Sequence, residues 1–188
     1  MEEQETPVDQ DDVQKVVKKQ KIQPDTCKKL PRQLVGITLR PWQQSVLDSV
    51  EREINEKCQK INLLMDGRDG GIGKSTIVTY ILCHELGFEI PFCCVNFKDI
   101  MKLVTHQGRS PLYTVDVPRA VTQKELTRIC VYLEKLKTGH VYNKSKTKEI
   151  VIPVPTIWVF CQTSPKLDCL SDEKWVQWKV ENNELVKI

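Results

Sequence analysis

The stretch INLLMDGRDGGIGKST, residues 61–76, decides the fold of this chain. Its first six residues are mostly apolar and end at a cluster of glycines, a pattern typical of a buried strand that leads into a loop. The residues after the loop, Ser75 to Leu86, are apolar nearly all round and precede Gly87, which predicts a buried helix ending at this glycine. A strand, a glycine loop and a helix in this order predict an α/β fold.

The loop itself carries the pattern of a phosphate-binding site. Its glycines allow backbone amides to converge on an anion, and the N-terminus of the following helix adds a favourable dipole. Lys74 would reach the β- and γ-phosphates of a nucleotide, and the Ser75 hydroxyl would ligate Mg²⁺. The predicted nucleotide-binding residues are Gly70, Gly71, Ile72, Gly73, Lys74, Ser75 and Thr76. Because Lys74 belongs to a solvent-facing loop built from backbone, we expect its replacement by Ala to leave the fold intact.

A second apolar segment ends in an acidic residue. The run LYTVD, residues 112–116, places Asp116 42 residues after Lys74, where a P-loop ATPase needs the aspartate that holds Mg²⁺ directly or through water. The alternative is that Asp116 opens a turn before Pro118. Since Val117 follows Asp116, the usual second acid is absent, and the residue that activates the attacking water is unidentified.

A third apolar run, TIWVFC at residues 156–161, predicts a strand with Gln162 at its end. An amide at this position, 46 residues after Asp116, can lie beside the γ-phosphate as a sensor. The alternation of apolar residues in LSDEKWVQWKV, residues 170–180, predicts one further strand.

Amphipathic patterns predict three more helices. They begin near Trp42 with Pro41 in the first turn, near Phe97 with Asn96 as a cap, and after a capping box formed by Thr122 and Glu125.

A basic segment follows the last of these helices. Residues 124–148 carry seven lysines and arginines against two glutamates, with Gly139 expected to end the helix and with His140, Tyr142 and Asn143 expected at the tip of a hairpin. Such a hairpin suits a phosphate backbone, and the alternative is a solvated turn. The predicted DNA-contacting residues are Lys137, His140, Lys144, Lys146 and Lys148.

The composition excludes several other classes of protein. The 188 residues are 40% hydrophobic and 28% charged with a net charge of +3, which excludes collagen, a wholly disordered chain and a membrane protein. Residues 1–31 are acidic and then lysine-rich, so we expect a charged, disordered tail before an ordered domain at residues 32–188. The polar N-terminus is no secretory signal, so we expect an intracellular protein. Its eight cysteines form no CxxC pair and are expected to pack in the core rather than bind zinc.

Six segments in order carry a resemblance to a known family: LRPWQQSVLDSVE, GGIGKST, YTVDVPRAV, EKLKTGHVYNKSK, VFCQTSP and LSDEKW. They resemble the helicase domain of replication-initiator (Rep) proteins of small circular single-stranded DNA viruses and related plasmids, across about residues 34–182. This family belongs to the superfamily 3 helicases. The resemblance implies an AAA+-like P-loop ATPase core, a central and mostly parallel sheet flanked by helices, that assembles as hexameric rings on single-stranded DNA.

The resemblance also implies roles for particular residues. It implies motif A at residues 70–76, motif B at Asp116, a DNA-contacting hairpin at residues 139–148 and the motif C sensor at Gln162, with ATP and Mg²⁺ bound between them. Lys74, Asp116 and Gln162 are accordingly the expected catalytic residues. Three positions depart from the family pattern: Arg68 replaces the first glycine of motif A, Gln162 replaces Asn, and Lys174 replaces an arginine before Trp175. If Lys174 acts in trans on the ATP of a neighbour, it offers one point charge in place of a fork.

We therefore expect an ATP-driven 3′–5′ DNA helicase domain used in rolling-circle replication, with the polarity taken from the resemblance. Its partners would be single-stranded DNA and further copies of itself, in the host nucleus if the source is a eukaryotic virus. Rep proteins usually carry a nicking endonuclease, and nothing in residues 1–31 fits one, so we expect an excised domain, a split-gene product or a degenerate copy. The alternative is a non-hydrolysing DNA-binding or oligomerisation module that keeps the P-loop fold. A small-molecule P-loop kinase is disfavoured because no lid with paired arginines is visible.

Overall fold

The computed structural model describes residues 38–66, 71–93, 96–107, 110–143, 148–166, 168 and 170–188. Four helices lie in this part of the chain: α1 (Pro41–Glu56), α2 (Lys74–Cys83), α3 (Phe97–Gln107) and α4 (Gln123–Lys137). The strands are β1 (Ile61–Met65), β2 (Phe88–Glu89), β3 (Leu112–Asp116), β4 (His140–Asn143), β5 (Lys148–Val151), β6 (Thr156–Cys161), β7 (Trp175–Glu181) and β8 (Glu184–Lys187). A 3₁₀ turn, Asp172–Lys174, precedes β7. No described helix combines the length and apolar character needed to cross a bilayer.

Six strands form one sheet in the order β2-β3-β6-β1-β7-β8. The first five are parallel, and only β8 runs antiparallel to its neighbour β7. Met65 at the end of β1 pairs with Cys161 at the end of β6, and Asp116 at the end of β3 pairs with Phe160. The carboxyl ends of β1, β3 and β6 therefore meet at one edge, which is where open α/β sheets bind ligands.

Helices cover both faces of this sheet. On one face, Trp42 of α1 and Ile77 of α2 pack in a cluster with Trp158 and Phe160 of β6. On the other face, the apolar sides of α3 and α4 pack against the alternate residues of the same strands, such as Val159. Because β6 is covered on both faces, all six of its residues are buried, as its continuous apolar sequence predicts. The protein thus has a mixed α/β fold with a mostly parallel sheet flanked by helices.

Most local predictions are confirmed. Pro41 lies in the first turn of α1, and the side-chain Oδ1 of Asn96 accepts a hydrogen bond from Asp99 N at 3.1 Å at the start of α3. The Thr122 side chain and Glu125 form the expected capping box of α4. Local side chains with short-range partners determine these helix ends, so sequence alone is sufficient to place them.

Helix α2 is shorter than predicted. It ends at Cys83 rather than at Leu86, because Glu85 adopts a left-handed backbone with φ 55° and Leu86 N bonds back to Ile81 O at 3.0 Å. Gly87 is buried in the turn that follows, where an added Cβ would lie 2.8 Å from the Leu112 carbonyl oxygen. This close approach, rather than the helix end itself, requires the glycine.

Two of the described cysteines, Cys130 and Cys161, pack in the core as predicted. Cys130 and Cys161 are buried in the cluster beneath α4, and burial raises the pKa of the Cys161 thiol to about 12. Cys93, by contrast, is exposed. Among the described residues, no group of His, Cys, Asp or Glu side chains is arranged to hold a metal ion by itself.

Candidate functional site

A cavity of about 510 Å³ lies at the carboxyl edge of the sheet. We call it the loop cavity, and its lining residues are Gly71, Gly73, Lys74, Ser75, Thr76, Glu89, Asp116, Val117, Pro118 and Arg119. The glycine loop, the start of α2 and the ends of β2 and β3 therefore share one wall. Its volume lies within the range of roughly 300–1,000 Å³ that is typical of small-molecule sites.

The glycines of the loop have the conformation that a backbone anion site requires. Gly71 and Gly73 have φ +74° and +99°, which side chains rarely adopt, and Gly73 is the N-cap residue of α2. A Cβ on Gly73 would lie 2.9 Å from Gln43 Nε2. The amides at the start of α2 therefore face an open cavity, and the helix dipole favours an anion there.

Helix α1 holds this loop in place. Gln43, which is buried, donates from Nε2 to Gly73 O at 2.9 Å, and Arg40 donates from Nη1 to Ile72 O at 2.8 Å. The Oε1 of the same Gln43 accepts a hydrogen bond from Arg40 N at 2.8 Å. The sequence predicted this segment only as an amphipathic helix. Its contacts with the loop join residues about 30 positions apart and leave no periodic signal in the sequence.

Lys74 was predicted to face open solvent, but in the structure it does not. Its side chain is only 13% exposed and forms an ion pair with Asp66, whose side chain is fully buried at the end of β1. The second oxygen of Asp66, Oδ1, has no hydrogen-bond partner among the described residues. Removal of one member of a buried ion pair is strongly destabilising, so the expectation that Lys74→Ala leaves the fold intact is not supported by this geometry.

Asp116 and Glu89 lie on the same face of the sheet at the loop cavity. Glu89 pairs with Thr114 in the β2–β3 register, and Thr114 and Asp116 share a face because they are two residues apart. Burial, together with the negative charge of Asp116, raises the pKa of the Glu89 carboxyl. No cation among the described residues forms an ion pair with Glu89.

Glu89 is a carboxylate that no sequence pattern indicated. The second acid of the site was expected next to Asp116, where Val117 is 5% exposed and packs in the core. On an extended strand the side chains of adjacent residues point to opposite faces, so the Val117 side chain packs in the core even though this residue also borders the loop cavity. Strand β2 has only two residues, which is too short to give a periodic pattern.

Arg119 was also missed. It is exposed and lines the loop cavity three residues after Asp116, so it brings a positive charge to the wall that carries the two carboxylates. Ser75 and Thr76 line the same cavity as predicted. The cavity thus combines a lysine, an arginine, hydroxyl groups, backbone amides and two carboxylates.

Other predicted site residues are not among the described residues that line the loop cavity. Gly70 and Arg68 are outside the described residues. Gln162 directly follows β6, between β1 and β3 in the sheet, but it is not among the described residues that line the cavity. Lys174 ends the 3₁₀ turn, and it is likewise not among those lining residues.

The predicted hairpin exists as an antiparallel pair, β4 and β5, in which Asn143 pairs with Lys148. Gly139 precedes it with φ +77°, and Ile152 N donates to Gly139 O at 2.8 Å to close its base. Lys144 and Lys146 fall outside the described residues. His140 was predicted at the tip, but it pairs with Val151 and is exposed at the base of the hairpin. The part of the hairpin that is described thus confirms its strands but not its contacts.

Lys137 is a correction to the predicted DNA-contacting set. Its side chain is 3% exposed, and its Nζ donates to Pro155 O at 2.5 Å. Burial lowers the pKa of its ammonium group to about 8, despite the nearby negative charge of Glu53. Lys137 thus bonds the end of α4 to the segment before β6, and because it is buried it cannot reach a phosphate backbone.

Comparison with known proteins adds no family to this geometry. No protein-family model matches the chain, and no curated protein is significantly similar to it. Its function consequently has to be inferred from the residues themselves.

Proposed function

We propose that this protein is an ATP-dependent DNA helicase domain of the superfamily 3 type, with an AAA+-like P-loop NTPase fold, from a replication-initiator protein. The observation that carries the proposal is the loop cavity, because two separate segments, the start of α2 and the end of β3, bring Lys74, Ser75 and Asp116 to one wall. These are the residue types that a P-loop ATPase uses for phosphate and Mg²⁺. Asp116 lies 42 residues after Lys74, so a shared cavity was not a necessary consequence of the sequence pattern.

The strand order supports the same proposal. Strand β6 lies between β1, which leads into the glycine loop, and β3, which ends in Asp116. Gln162 therefore follows the strand that separates these two elements. A sensor of the γ-phosphate would have to be placed between the loop and Asp116, and the chain leaves β6 between these two elements.

The donor atoms of the loop cavity fit Mg²⁺. The Ser75 hydroxyl and the Asp116 carboxylate are hard oxygen ligands, the kind that Mg²⁺ prefers. When bound, Mg²⁺ would neutralise charge that develops on the phosphates. Ser75 and Asp116 would hold it.

The remaining residues have distinct roles in hydrolysis. The amides of residues 71–76 and Lys74 would hold the β- and γ-phosphates, and Arg119 would face the charge that develops on the transferred group. The oxygen of a water molecule attacks the γ-phosphorus while the bond to the β,γ-bridging oxygen breaks. Glu89, near Asp116, would orient this water and accept its proton. ADP and inorganic phosphate are then released.

DNA contact is proposed for the hairpin of β4 and β5. The lysines at residues 144, 146 and 148 would follow the phosphates of a single strand, with His140 at the base. In a hexameric ring, hydrolysis at one subunit would shift its hairpin relative to the next. Lys174 of one copy would act on the ATP of another.

A second function has specific support. Lys74 is paired with Asp66 rather than free to meet a phosphate, and Gln162 is not among the described residues of the cavity wall. Both observations favour the alternative, a DNA-binding or oligomerisation module that keeps the fold without hydrolysis.

Strand displacement tests the proposal. The full chain is mixed with a partial duplex that carries a 3′ single-stranded tail, ATP and Mg²⁺, and release of the shorter strand is followed. We expect release by the unmodified protein and none by Asp116→Asn, which should still bind nucleotide. Asp48→Asn, at an exposed aspartate of α1, is the matched control and should behave as the unmodified protein. DNA binding without displacement in the unmodified protein would favour the non-hydrolysing module.

A further inference from the structure

One carboxylate of α4, that of Glu134, holds both ends of the 3₁₀ turn that carries Lys174. Its Oε1 accepts a hydrogen bond from Ser171 N at 2.9 Å, directly before the turn, and another from Trp175 Nε1 at 2.7 Å, directly after it. Its Oε2 accepts a hydrogen bond from the Ser171 hydroxyl at 3.4 Å. Because a carboxylate is a stronger acceptor than a neutral oxygen, these bonds fix the turn on α4.

The turn is also closed on itself and anchored in the sheet. Lys174 N donates to Ser171 O at 2.8 Å, and Trp175 begins β7, where it pairs with Ile61 of β1. The Trp175 side chain is 8% exposed and packs in the same core cluster as the apolar side of α4. With α4 on one side and β1 on the other, the backbone around Lys174 has a defined position.

Side chains of α4 bond the connection from β6 to this turn at two further points. Gln123 Nε2 donates to Ser164 O at 2.5 Å, and Thr127 Oγ1 accepts a hydrogen bond from Lys166 N at 3.2 Å. Gln123, Thr127 and Glu134 are spaced by four and seven residues, which places them along one side of the helix. Helix α4 is therefore the support on which the chain between β6 and β7 lies.

The charge of Lys174 is not neutralised within the described part of the chain. The two residues before it in the turn are exposed and Lys174 is half-buried, so the turn lies at the surface. Glu134 accepts hydrogen bonds from Ser171 and Trp175 rather than from Lys174, and no carboxylate among the described residues forms an ion pair with Lys174. The turn thus holds a cation at the surface without a counter-charge of its own.

We propose that Glu134 is a positioning residue for Lys174, because it fixes the turn so that the Lys174 ammonium group meets the phosphates of ATP bound to a neighbouring copy. The inference rests on the proposed function, since it needs ATP hydrolysis on which Lys174 acts. Glu134 itself does not touch the nucleotide. Its effect is large because a displacement of about 1 Å in a charged group can cost about 100-fold in rate.

Steady-state phosphate release from ATP and Mg²⁺ by the full chain tests this role. Glu134→Leu removes both acceptor oxygens, and we expect it to lower kcat at least about tenfold while the KM for ATP stays within about twofold of the unmodified value. Glu134→Gln keeps an acceptor oxygen for Ser171 N and Trp175 Nε1 and should retain most of kcat. Glu51→Leu, the same substitution at an exposed glutamate of α1, is the control and should behave as the unmodified protein.

A second variant breaks the same contact from the other side, in case Glu134→Leu does not fold. Ser171→Pro removes the backbone N–H whose hydrogen bond Glu134 accepts, and the Ser171 φ of −80° suits proline. We expect it to lower kcat as Glu134→Leu does, again with little change in KM. Circular dichroism verifies the fold of each variant.

A double-mutant cycle shows whether Glu134 acts through Lys174. Lys174→Met removes the charge, and adding Glu134→Leu to it should lower kcat no further. If the unmodified protein releases no phosphate, the proposed function fails together with this inference. If the unmodified protein hydrolyses ATP, but Glu134→Leu costs as much with Lys174→Met as without it, or neither Glu134→Leu nor Ser171→Pro lowers kcat, ATP hydrolysis stands and the positioning role of Glu134 is wrong.

Discussion

The ion pair between Lys74 and Asp66 joins the start of α2 to the end of β1 and ties folding to the chemistry of the loop cavity. Asp66 is fully buried, so its charge depends on Lys74 for compensation. In the nucleotide-bound state Lys74 would have to divide its charge between Asp66 and the phosphates. The same lysine therefore has a structural role in the free protein and a binding role in the proposed complex.

We predict that Lys74→Ala lowers the free energy of unfolding by about 3 kcal/mol, because it leaves Asp66 buried without a counter-charge. Adding Asp66→Asn should recover most of this loss, so the effects of the two substitutions should not add. Chemical denaturation followed by circular dichroism measures both. Purely additive losses would show that the pair does not couple the two residues.

Glu89 is the second residue with a distinct role in the proposed hydrolysis. We predict that Glu89→Gln reduces ATP turnover at least about 100-fold while the affinity for ATP changes little, because the variant removes the proton acceptor and keeps the shape. Phosphate release and equilibrium nucleotide binding are the two measurements. Glu184→Gln, at an exposed glutamate of β8, is the control. A parallel loss of binding and turnover would show that Glu89 serves only to hold the nucleotide.

At the scale of elements, the sequence was sufficient to predict strands marked by long apolar runs and helices marked by local capping side chains. The buried strands β1, β3 and β6 and the capped helix α4 follow from continuous apolar runs and a capping box. Strands β2 and β8 were missed, since two residues or an exposed edge give no period. The second carboxylate of the site was missed with β2. No local signal in the sequence shows that a short strand will pair beside Asp116.

The hairpin of β4 and β5 carries the prediction about DNA. Replacing Lys144 and Lys146 by Gln should flatten the slope of log affinity against log salt for single-stranded DNA by about 1.4, at about 0.7 per lost phosphate contact. Unrelated DNA sequences should lose affinity alike, since phosphate contacts carry no sequence information. Fluorescence anisotropy across a salt series gives the slope.

A matched control for the hairpin variant replaces two exposed lysines outside the hairpin. Lys60→Gln with Lys187→Gln removes the same charge from exposed positions before β1 and at the end of β8. This control should leave the slope nearly unchanged. Equal slopes in the hairpin variant and the unmodified protein would assign the basic segment to a solvated turn.

At the scale of the whole molecule, a buried polar network supports the sheet at the amino end of β1. Asn62 donates to Glu53 Oε2 at 2.8 Å and accepts from Trp178 Nε1 at 2.8 Å. Burial raises the pKa of the Glu53 carboxyl, and Lys137 lies near enough to oppose that change. The network thus joins α1, β1, β7 and α4.

The lowered pKa of Lys137 predicts a pH dependence of stability. Its pKa is about 8 in the folded protein and ordinarily 10.5, so between these values the unfolded chain binds more protons. The free energy of unfolding contributed by Lys137 must therefore rise with pH across this window, by about 3 kcal/mol in all. Denaturation of the unmodified protein and of Lys137→Met from pH 7 to 10.5 isolates this contribution. A constant difference between them would show that Lys137 stays charged.

Whether the loop cavity hydrolyses ATP, as proposed, is tested by Mg²⁺-dependent phosphate release in a variant whose stability does not depend on the Lys74–Asp66 pair. Asp66→Asn is that variant, and the double variant with Lys74→Ala removes only the lysine from it. We predict that Asp66→Asn releases phosphate from ATP and that the double variant, equally folded, releases almost none. Equal phosphate release by Asp66→Asn and by the double variant would contradict the proposed role of Lys74. No release by these two variants or by the unmodified protein would contradict ATP hydrolysis in the loop cavity.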